Sequence, residues 1–469
     1  MRILPPVTPS AEQLTILSDS RPGFRLIRGA AGSGKTTTAL LRLKQLCASR
    51  LARQTRLGLT DPVQVLVLTY NRTLEGYISE LARQQVAADR RLELEVTTFG
   101  KWARRLVGPV DILDRDRMTA RLRATLIATT GEPRLVEFFV DEVEYALGRF
   151  TPEHLGEYLT RERTGRGISP RVDTALRRRL LDEVIKPYQD AKSADGVLDW
   201  NDLAQEAANI DPEGYDIVIV DEAQDFSANQ VRAVIAHLAG DHSTTFILDA
   251  IQRIYPRFFT WVEVGIALRP NMIYSLRENH RNTAEIAAFA RPLVEGLPVE
   301  DDGSLPDFSA CSHSGVLPQV VAGTYSGQLS YMLDELARVA DMGQESVAIL
   351  QPKGGAWFNY ARTMLRNRGI TFCELTRTSQ WPTGPEQVAL STIHSAKGLE
   401  FDHVLLPGLN QQVTPHGEGE GDATLDRLRR LLAMGVGRSR LSVVVGYKPG
   451  EESTLIGLLD PDTYKLVTV

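Results

Sequence analysis

The segment Gly29–Thr36 reads GAAGSGKT and fits the phosphate-binding pattern G-x-x-x-x-G-K-[ST] in full. Glycines in such a loop let backbone N–H groups point at phosphate oxygens, and the start of the following helix adds a favourable dipole. Lys35 is expected to reach the β- and γ-phosphates of a nucleoside triphosphate, and Thr36 to hold Mg²⁺. The other positions expected around the phosphates are Gly29, Ala30, Gly32, Ser33, Gly34 and Thr37.

A pair of carboxylates, Asp221 and Glu222, directly follows the apolar run Asp216–Val220. A magnesium site needs such a carboxylate at the end of a neighbouring strand. Asp221 is expected to bind Mg²⁺, directly or through water, and Glu222 to orient and deprotonate the attacking water. An Asp-Glu pair alone is also a common charge pattern at a helix start. Together with a complete phosphate loop, the pair predicts hydrolysis of a nucleoside triphosphate.

Short apolar runs alternate with helical patterns around these two motifs. Phe24–Arg28 and Val63–Thr69 predict strands, with a helix over Lys35–Cys47 between them. Asp216–Val220 and Thr245–Leu248 predict two more strands. This alternation of buried strands and helices is typical of a parallel sheet covered on both faces.

The rest of the chain divides into a helical segment and a second α/β segment. Residues 104–198 hold few β-type runs and many Leu, Arg and Glu at helical spacing, which predicts a helical insertion. Further apolar runs follow at Ser346–Leu350, Gln387–Ser391, His403–Leu406 and Leu441–Gly446. We therefore predict an α/β fold with one domain over residues 1–103 and 199–268, the insertion at 104–198, and a second domain over 269–469.

Composition narrows the class of protein. The 469 residues are 43% hydrophobic and 24% charged, which is ordinary for a globular protein. We expect no membrane span and no secretory leader, and therefore a cytoplasmic protein. Three cysteines without a CxxC pair argue against a zinc site. The net charge of −6 still permits a local positive groove, and the arginines clustered over residues 161–179 fit either such a groove or a solvated helix face.

Further motifs follow the first two in a fixed order. They are Thr69-Tyr70-Asn71, Thr97-Thr98-Phe99, Asp199-Trp200-Asn201-Asp202-Leu203, and residues 249–255 (DAIQRIY), 276–282 (LRENHRN), 391–401 (STIHSAKGLEF) and 432–440 (LAMGVGRSR). The set resembles the UvrD/Rep/PcrA-like family of superfamily 1A DNA helicases, from Gln13 to about Tyr447. The resemblance implies two RecA-like P-loop NTPase domains with parallel sheets.

The resemblance also implies that the nucleotide is ATP. Gln13 matches the glutamine that reads the adenine edge, and His280 stands where an adenine-stacking tyrosine is usual. Gln252 would sense the γ-phosphate. Gly398 and Glu400, within residues 391–401, are predicted to border the nucleotide.

Two arginines of the second half match the family's phosphate-sensing arginines. Arg281 and Arg438 would stabilise the charge that develops on the transferring phosphoryl group. If both reach an ATP held by the phosphate loop, the site lies in the cleft between the halves. Closing and opening of that cleft would then drive steps along a strand.

Nucleic-acid contacts are implied for motifs on both halves. The predicted residues are Thr69, Tyr70, Asn71, Thr98, Phe99, Tyr255, Arg257, Phe258, Thr392 and His394. Bases stack on aromatic side chains at about 1–3 kcal/mol each with little sequence preference. The aromatic run at 255–261 also fits a helix packed into the core. The expected partner is single-stranded or partly duplex DNA, with RNA left open.

The function implied is an ATP- and Mg²⁺-dependent 3′-to-5′ translocase or helicase. The chain departs from full-size relatives because only residues 376–386 separate the last β-rich segment from the 391–401 motif, so no accessory 2B subdomain is expected. Little sequence follows the last motif, so we expect no fused nuclease. The missing 2B subdomain motivates an alternative, an ATP- and DNA-binding regulatory or sensor subunit of a nuclease complex in repair or antiphage defence.

Overall fold

The computed structural model describes residues 9–29, 32–69, 72–85, 89–163, 170–248, 259–277, 279, 281–297, 311, 313–341, 344–376, 381–382, 384–386, 388–417 and 422–469. Some predicted site residues lie outside this described part: Ala30, Tyr70, Asn71, Gln252, Tyr255, Arg257, Phe258 and His280. Their predicted roles stay predictions.

In the described part of the chain, parallel strands form two large sheets and one two-stranded sheet of β4 and β5. The strands are β1 (Gly23–Gly29), β2 (Val63–Thr69), β3 (Leu92–Thr98), β4 (Ile112–Leu113), β5 (Leu198–Asp199), β6 (Tyr215–Val220), β7 (Leu238–Leu248), β8 (Ile273–Leu276), β9 (Gln319–Ala322), β10 (Val347–Gln351), β11 (Phe372–Glu374), β12 (Val388–Thr392), β13 (Phe401–Leu406), β14 (Ser439–Tyr447) and β15 (Lys465–Thr468). The first sheet has the parallel order β3-β2-β6-β7-β1-β8. The second has the parallel order β11-β12-β10-β13-β14-β9-β15.

Helices cover the faces of both large sheets and also form the insertion between β4 and β5. They are α1 (Ala11–Leu17), α2 (Lys35–Leu57), α3 (Arg72–Gln85), α4 (Phe99–Val107), α5 (Arg115–Thr130), α6 (Val136–Arg149), α7 (Thr174–Arg179), α8 (Lys186–Asp195), α9 (Trp200–Ala208), α10 (Ala228–Ala236), α11 (Ala284–Val294), α12 (Tyr325–Val339), α13 (Asn359–Asn367) and α14 (Ala423–Val436). Central strands such as β2 and β10 are buried almost throughout, as expected for apolar runs inside a covered parallel sheet. The predicted fold class, with two RecA-like α/β sheets, is confirmed.

The second half begins later than the predicted boundary at residue 269. Strand β8 pairs with β1 at the edge of the first sheet, and Gly29 stands opposite Leu276. Leu276 is buried there, so the pairing completes the apolar edge of the first sheet. The prediction that this segment belongs to the second domain is therefore wrong. As a consequence, the chain leaves β8 beside the loop that follows β1.

The insertion is helical and has its own apolar core. Helices α5 and α6 pack with the continuous helical stretch α7–α8, which contains a π-helical turn at Leu180–Ile185. Some of the clustered arginines hold this segment together. Arg163 donates two hydrogen bonds of 2.8 Å to the buried carboxylate of Glu142. Arg177 donates to the backbone carbonyl of Arg161 at 2.8 Å. These two arginines therefore have structural partners.

A helix that crosses a bilayer must be both long and apolar. Within the described ranges, no helix meets both requirements.

Candidate nucleotide-binding cleft

The phosphate loop connects β1 to α2. Gly32 and Gly34 have φ angles of 83° and 74°, a left-handed conformation that glycine adopts without steric cost. Lys35 begins α2, and its Nζ donates to the carbonyl oxygen of Gly29 at 2.8 Å. Ser33 of the loop is buried, and Thr37 is half-buried on the first turn of α2. The backbone and the lysine thus form a cradle at the amino end of a long helix.

The two acidic residues follow β6, next to this cradle. The hydroxyl of Thr36 donates to Asp221 Oδ2 at 3.1 Å. Burial and the neighbouring Glu222 raise the pKa of Asp221 to about 7. A hydroxyl and a buried carboxylate in contact form an oxygen donor set that suits a hard divalent cation.

Glu222 has a strained backbone. Its φ of 53° is the one left-handed angle of a non-glycine residue within the described ranges. Such strain costs on the order of 1–3 kcal/mol and concentrates at functional sites. Its carboxylate accepts a hydrogen bond from the Gln224 side chain. The turn that presents Glu222 is therefore held by its neighbours.

The second half contributes residues directly after β8. A Cβ atom on Gly32 would lie 2.1 Å from Oδ1 of Asn279, so the phosphate loop and this segment are in close contact. Asn279 Oδ1 accepts from the backbone N–H of Arg281 at 3.1 Å. The Arg281 guanidinium pairs with Glu400 and donates to the Gly437 carbonyl at 3.2 Å. Burial opposes ionisation of Glu400, but the positive charge of Arg281 lowers its pKa below the ordinary value.

Arg438 approaches from the end of α14. It is buried, and its guanidinium donates to the carbonyls of Met434 at 3.2 Å and Leu399 at 3.3 Å. A cavity between the halves is lined by Gly32, Gly34, Lys35, Thr36, Glu222, Arg281, Gly398 and Arg438. The structure thus brings the predicted nucleotide-site residues of both halves together around one cavity.

Gln13 lies at one side of the loop. It belongs to α1, where its side chain completes a capping box with Ser10. Its Nε2 donates to Thr38 Oγ1 at 3.0 Å and to the carbonyl of Gly34 at 3.5 Å. Gln13 therefore lies beside the phosphate loop, and its adenine-reading role stays a prediction.

Sequence reasoning did not assign a role to Lys397. Its Nζ lies 3.3 Å from Glu222 Oε2 and 2.5 Å from Asp225 Oδ2, and all three side chains are buried. The lysine comes from the second half and the carboxylates from the first. Its place within the 391–401 motif was the signal that could have identified it.

The predicted strand-contacting residues have different environments. Thr69 is fully buried at the end of β2, and Phe99 is buried against Trp102, with ring centroids 5.5 Å apart. The prediction that these two side chains contact a nucleic-acid strand does not fit their burial. Phe99 instead belongs to the apolar side of α4, and Thr98 caps that helix.

Two predicted nucleic-acid contacts lie at the carboxyl end of β12 in the second sheet, where Thr392 is the last residue of β12 and His394 follows it. The hydroxyl of Thr392 donates to Ser395 Oγ at 3.0 Å. His394 is half-buried, and burial lowers its pKa to about 4, with the charges of Arg427 and Lys397 acting in the same direction. A neutral imidazole and a positive neighbour therefore lie at the carboxyl end of β12.

Comparison with known families connects these observations. Residues 10–258, more than half of the chain, match the UvrD/REP helicase N-terminal domain. The chain belongs to the UvrD/Rep helicase family. Residues 365–448 match the UvrD-like helicase C-terminal domain, which covers the segment carrying Lys397, Gly398, Glu400 and Arg438.

Two similar proteins match most of the chain, and a third matches a short segment of it. A probable DNA helicase from Mycoplasma pneumoniae is 21% identical over 452 residues, 89% of this chain and 79% of that protein. The ATP-dependent DNA helicase UvrD2 from Mycobacterium tuberculosis is 23% identical over 552 residues, 90% of this chain and 76% of that protein. The ATP-dependent DNA helicase Rep from Escherichia coli is 36% identical over 55 residues, 12% of this chain and 8% of that protein.

Proposed function

We propose that this UvrD-like protein hydrolyses ATP to move 3′-to-5′ along single-stranded DNA and to separate the strands of partly duplex DNA. The observation that carries the proposal is the shared cavity. Lys35, Thr36 and Glu222 of the first half face Arg281 and Arg438 of the second across it. A nucleotide bound there would contact both halves, so its hydrolysis would change their separation.

Each side chain has a role that follows from its position. Lys35 would bind the phosphate oxygens, and Glu222 would accept the proton of the attacking water. Arg281 and Arg438 would stabilise the negative charge that develops on the transferring phosphoryl group. The Nε of Arg281 is buried and lacks a hydrogen-bond partner in the described structure, so it retains a donor for a phosphate oxygen.

Thr36 and Asp221 are suited to hold Mg²⁺. Their oxygens are already in contact at 3.1 Å, and the raised pKa of Asp221 reflects a buried carboxylate site that a cation would stabilise. When bound, such an ion supplies positive charge to the phosphate oxygens.

The first test is ATP hydrolysis by the purified chain with and without oligothymidylate, comparing wild type with Glu222→Gln. We expect the strand to stimulate hydrolysis many-fold. Loss of the general base should lower the rate by about 10²-fold or more while nucleotide binding persists. If the rate of ATP hydrolysis is low and does not change when oligothymidylate is added, the result would favour the alternative of an ATP- and DNA-binding subunit that needs a partner.

Direction of movement needs a separate measurement. Streptavidin can be bound to biotin at either end of the same oligonucleotide, and its displacement followed with ATP. Movement towards the 5′ end predicts rapid displacement from the 5′ biotin and slow displacement from the 3′ biotin. The reverse pattern would contradict the proposed polarity without affecting the assignment as a motor.

A further inference from the structure

An ion pair joins the helical insertion to the second half. Arg427 of α14 places Nη1 3.1 Å from Asp141 Oδ2 on α6 of the insertion. The two residues are 286 positions apart in the chain, so tertiary packing alone brings them together. The Arg427 side chain is 38% exposed, whereas that of Asp141 is 10% exposed.

Arg427 belongs to a helix that packs at the carboxyl end of β12. A Cβ atom on Gly435 of α14 would lie 3.1 Å from Cγ2 of Ile393, the residue between the end of β12 and His394. Burial lowers the pKa of His394, and the positive charge of Arg427 acts in the same direction. Thr392 and His394 are the second-half residues for which strand contact was predicted. Helix α14, which carries Arg427, therefore borders the surface along which the proposed function requires the nucleic-acid strand to lie.

The guanidinium also has unused donors. Asp141 is its one polar partner in the part of the chain that the structure describes, and the contact is a single hydrogen bond. A guanidinium carries five N–H donors in a planar fork that matches phosphate geometry. The partly exposed remainder of the group is thus available to an anion.

Asp141 would remain paired if Arg427 left it. Arg115 of α5 approaches Asp141 Oδ1 at 2.5 Å and also pairs with Glu144 of α6. A buried carboxylate left without a cation is costly, but this one keeps a second arginine. If Arg427 moves from Asp141 to another anion, the Asp141 carboxylate therefore still has Arg115 as a partner.

We propose that Arg427 contacts a backbone phosphate of bound single-stranded DNA, and that Asp141 holds this arginine while the strand is absent. In the absence of DNA, the Asp141 carboxylate occupies the place of the phosphate beside Arg427. Binding of DNA breaks the ion pair between Arg427 and Asp141, which joins the insertion to the second half. This inference rests on the proposed function, because it takes the strand to pass beside Thr392 and His394.

The test is the affinity of the purified chain for fluorescent oligothymidylate across a range of salt concentrations. Arg427→Gln should weaken binding by about tenfold, the usual effect of losing one charge-assisted hydrogen bond. The slope of log affinity against log salt should fall by about 0.7 for the one lost phosphate contact. Arg338→Gln is the matched control, since this arginine is 71% exposed on α12 of the same half.

Asp141 is tested by a double-mutant cycle. Asp141→Asn should tighten binding several-fold in the wild-type background and have no effect in the Arg427→Gln background. Glu137→Gln removes a carboxylate from the same helix that pairs with Arg115 instead, and controls for general loss of negative charge. Melting temperatures establish that each variant is folded. If the Asp141→Asn variant is not folded, the salt dependence of binding by the Arg427→Gln variant alone tests the phosphate contact.

Three outcomes are distinguishable. A wild-type protein that does not bind the oligonucleotide overturns the proposed function and this inference with it. Strand binding by wild type with unchanged affinity and salt slope in Arg427→Gln overturns this inference alone. Tightening by Asp141→Asn that persists without Arg427, or that Glu137→Gln reproduces, overturns the role given to Asp141.

Discussion

Lys397 of the second half places its ammonium 3.3 Å from the carboxylate of Glu222 of the first half. The same ammonium lies 2.5 Å from Asp225, which is completely buried. The residue proposed as the general base is therefore in contact with a cation from the opposite side of the cleft. Any relative movement of the halves changes the electrostatic environment of Glu222.

Removing that cation should destabilise the folded protein. We expect Lys397→Met to lower the free energy of unfolding by about 3–5 kcal/mol, the usual cost of removing one partner of a buried ion pair. Denaturant unfolding monitored by tryptophan fluorescence measures this change. Adding Asp225→Asn should restore part of the loss, because it removes one of the two carboxylates. An unchanged unfolding midpoint in Lys397→Met would show that the pair contributes nothing in solution.

Arg281 should act on catalysis more than on nucleotide binding. Loss of an arginine that stabilises transition-state charge lowers kcat by about 10³-fold or more. We expect this for Arg281→Gln, with a small change in KM for ATP, in steady-state assays with oligothymidylate present. Arg362→Gln is the control, since that arginine pairs with Glu374 on the surface of the second half. A large rise in KM with unchanged kcat would instead assign Arg281 to ground-state binding.

Gly32 should tolerate no side chain. An alanine there meets Asn279 Oδ1 at 2.1 Å, in addition to backbone strain at a φ of 83°. Gly58 ends α2 with a φ of 65° and has open space within 4 Å of where a Cβ atom would stand, so it isolates the strain alone. Both alanine variants should lose about 1–2 kcal/mol of stability from left-handed strain. Only Gly32→Ala should also lose ATP binding, measured with a fluorescent nucleotide, and equal binding by both variants would contradict the contact.

Acid should weaken the first half through Asp19. Burial raises the pKa of this carboxyl, but hydrogen bonds from Arg21, Arg25 and Tyr274 outweigh burial and hold its pKa well below the usual range. A lowered folded-state pKa gives stability that is present above about pH 4 and is lost as the pH falls towards the folded value. The free energy of unfolding should therefore decrease as the pH drops below about 4. Asp19→Asn should make the free energy of unfolding less dependent on pH in this range.

Asp89 offers the control for this pH dependence. Its pKa is lowered to about 2, chiefly by the side chain of Arg91, but the pair lies on the surface. Solvent and salt screen such a pair, so Asp89→Asn should change the acid dependence little. Equal effects of the two substitutions in denaturant titrations at pH 3 and pH 7 would contradict the special role of the Asp19 cluster.

Local sequence predicts the central strands well and the edges poorly. Val63–Thr69 is predicted with the bounds that β2 has, because a covered parallel strand is a continuous apolar run. Strand β3 escapes prediction because LELEVTT alternates acidic and apolar residues, as suits the edge of a sheet. Strands β8, β9 and β15 are only four residues long, and their pairing is decided by neighbours distant in sequence.

The candidate site divides in the same way. The phosphate loop and Asp221-Glu222 are contiguous motifs, so their chemistry is legible in the sequence. Contacts between motifs cannot be predicted from local sequence. The ion pair between Lys397 and Asp225, for example, joins residues that are 172 positions apart. The predicted nucleic-acid contact of Phe99 does not fit its burial, because a motif position does not reveal which face of α4 packs into the core.

The position of β8 limits how the two arginines of the cleft can separate. Arg281 follows Leu276, the last residue of a strand hydrogen-bonded to β1, by five residues. A fully extended tether of that length spans about 17 Å, so Arg281 can never retreat farther than this from the edge of the first sheet. Arg438 has no such short connection to a strand of the first sheet. Under the proposed function, Arg281 would therefore stay within this distance of the first sheet when the cleft opens, whereas Arg438 would move away together with the second half.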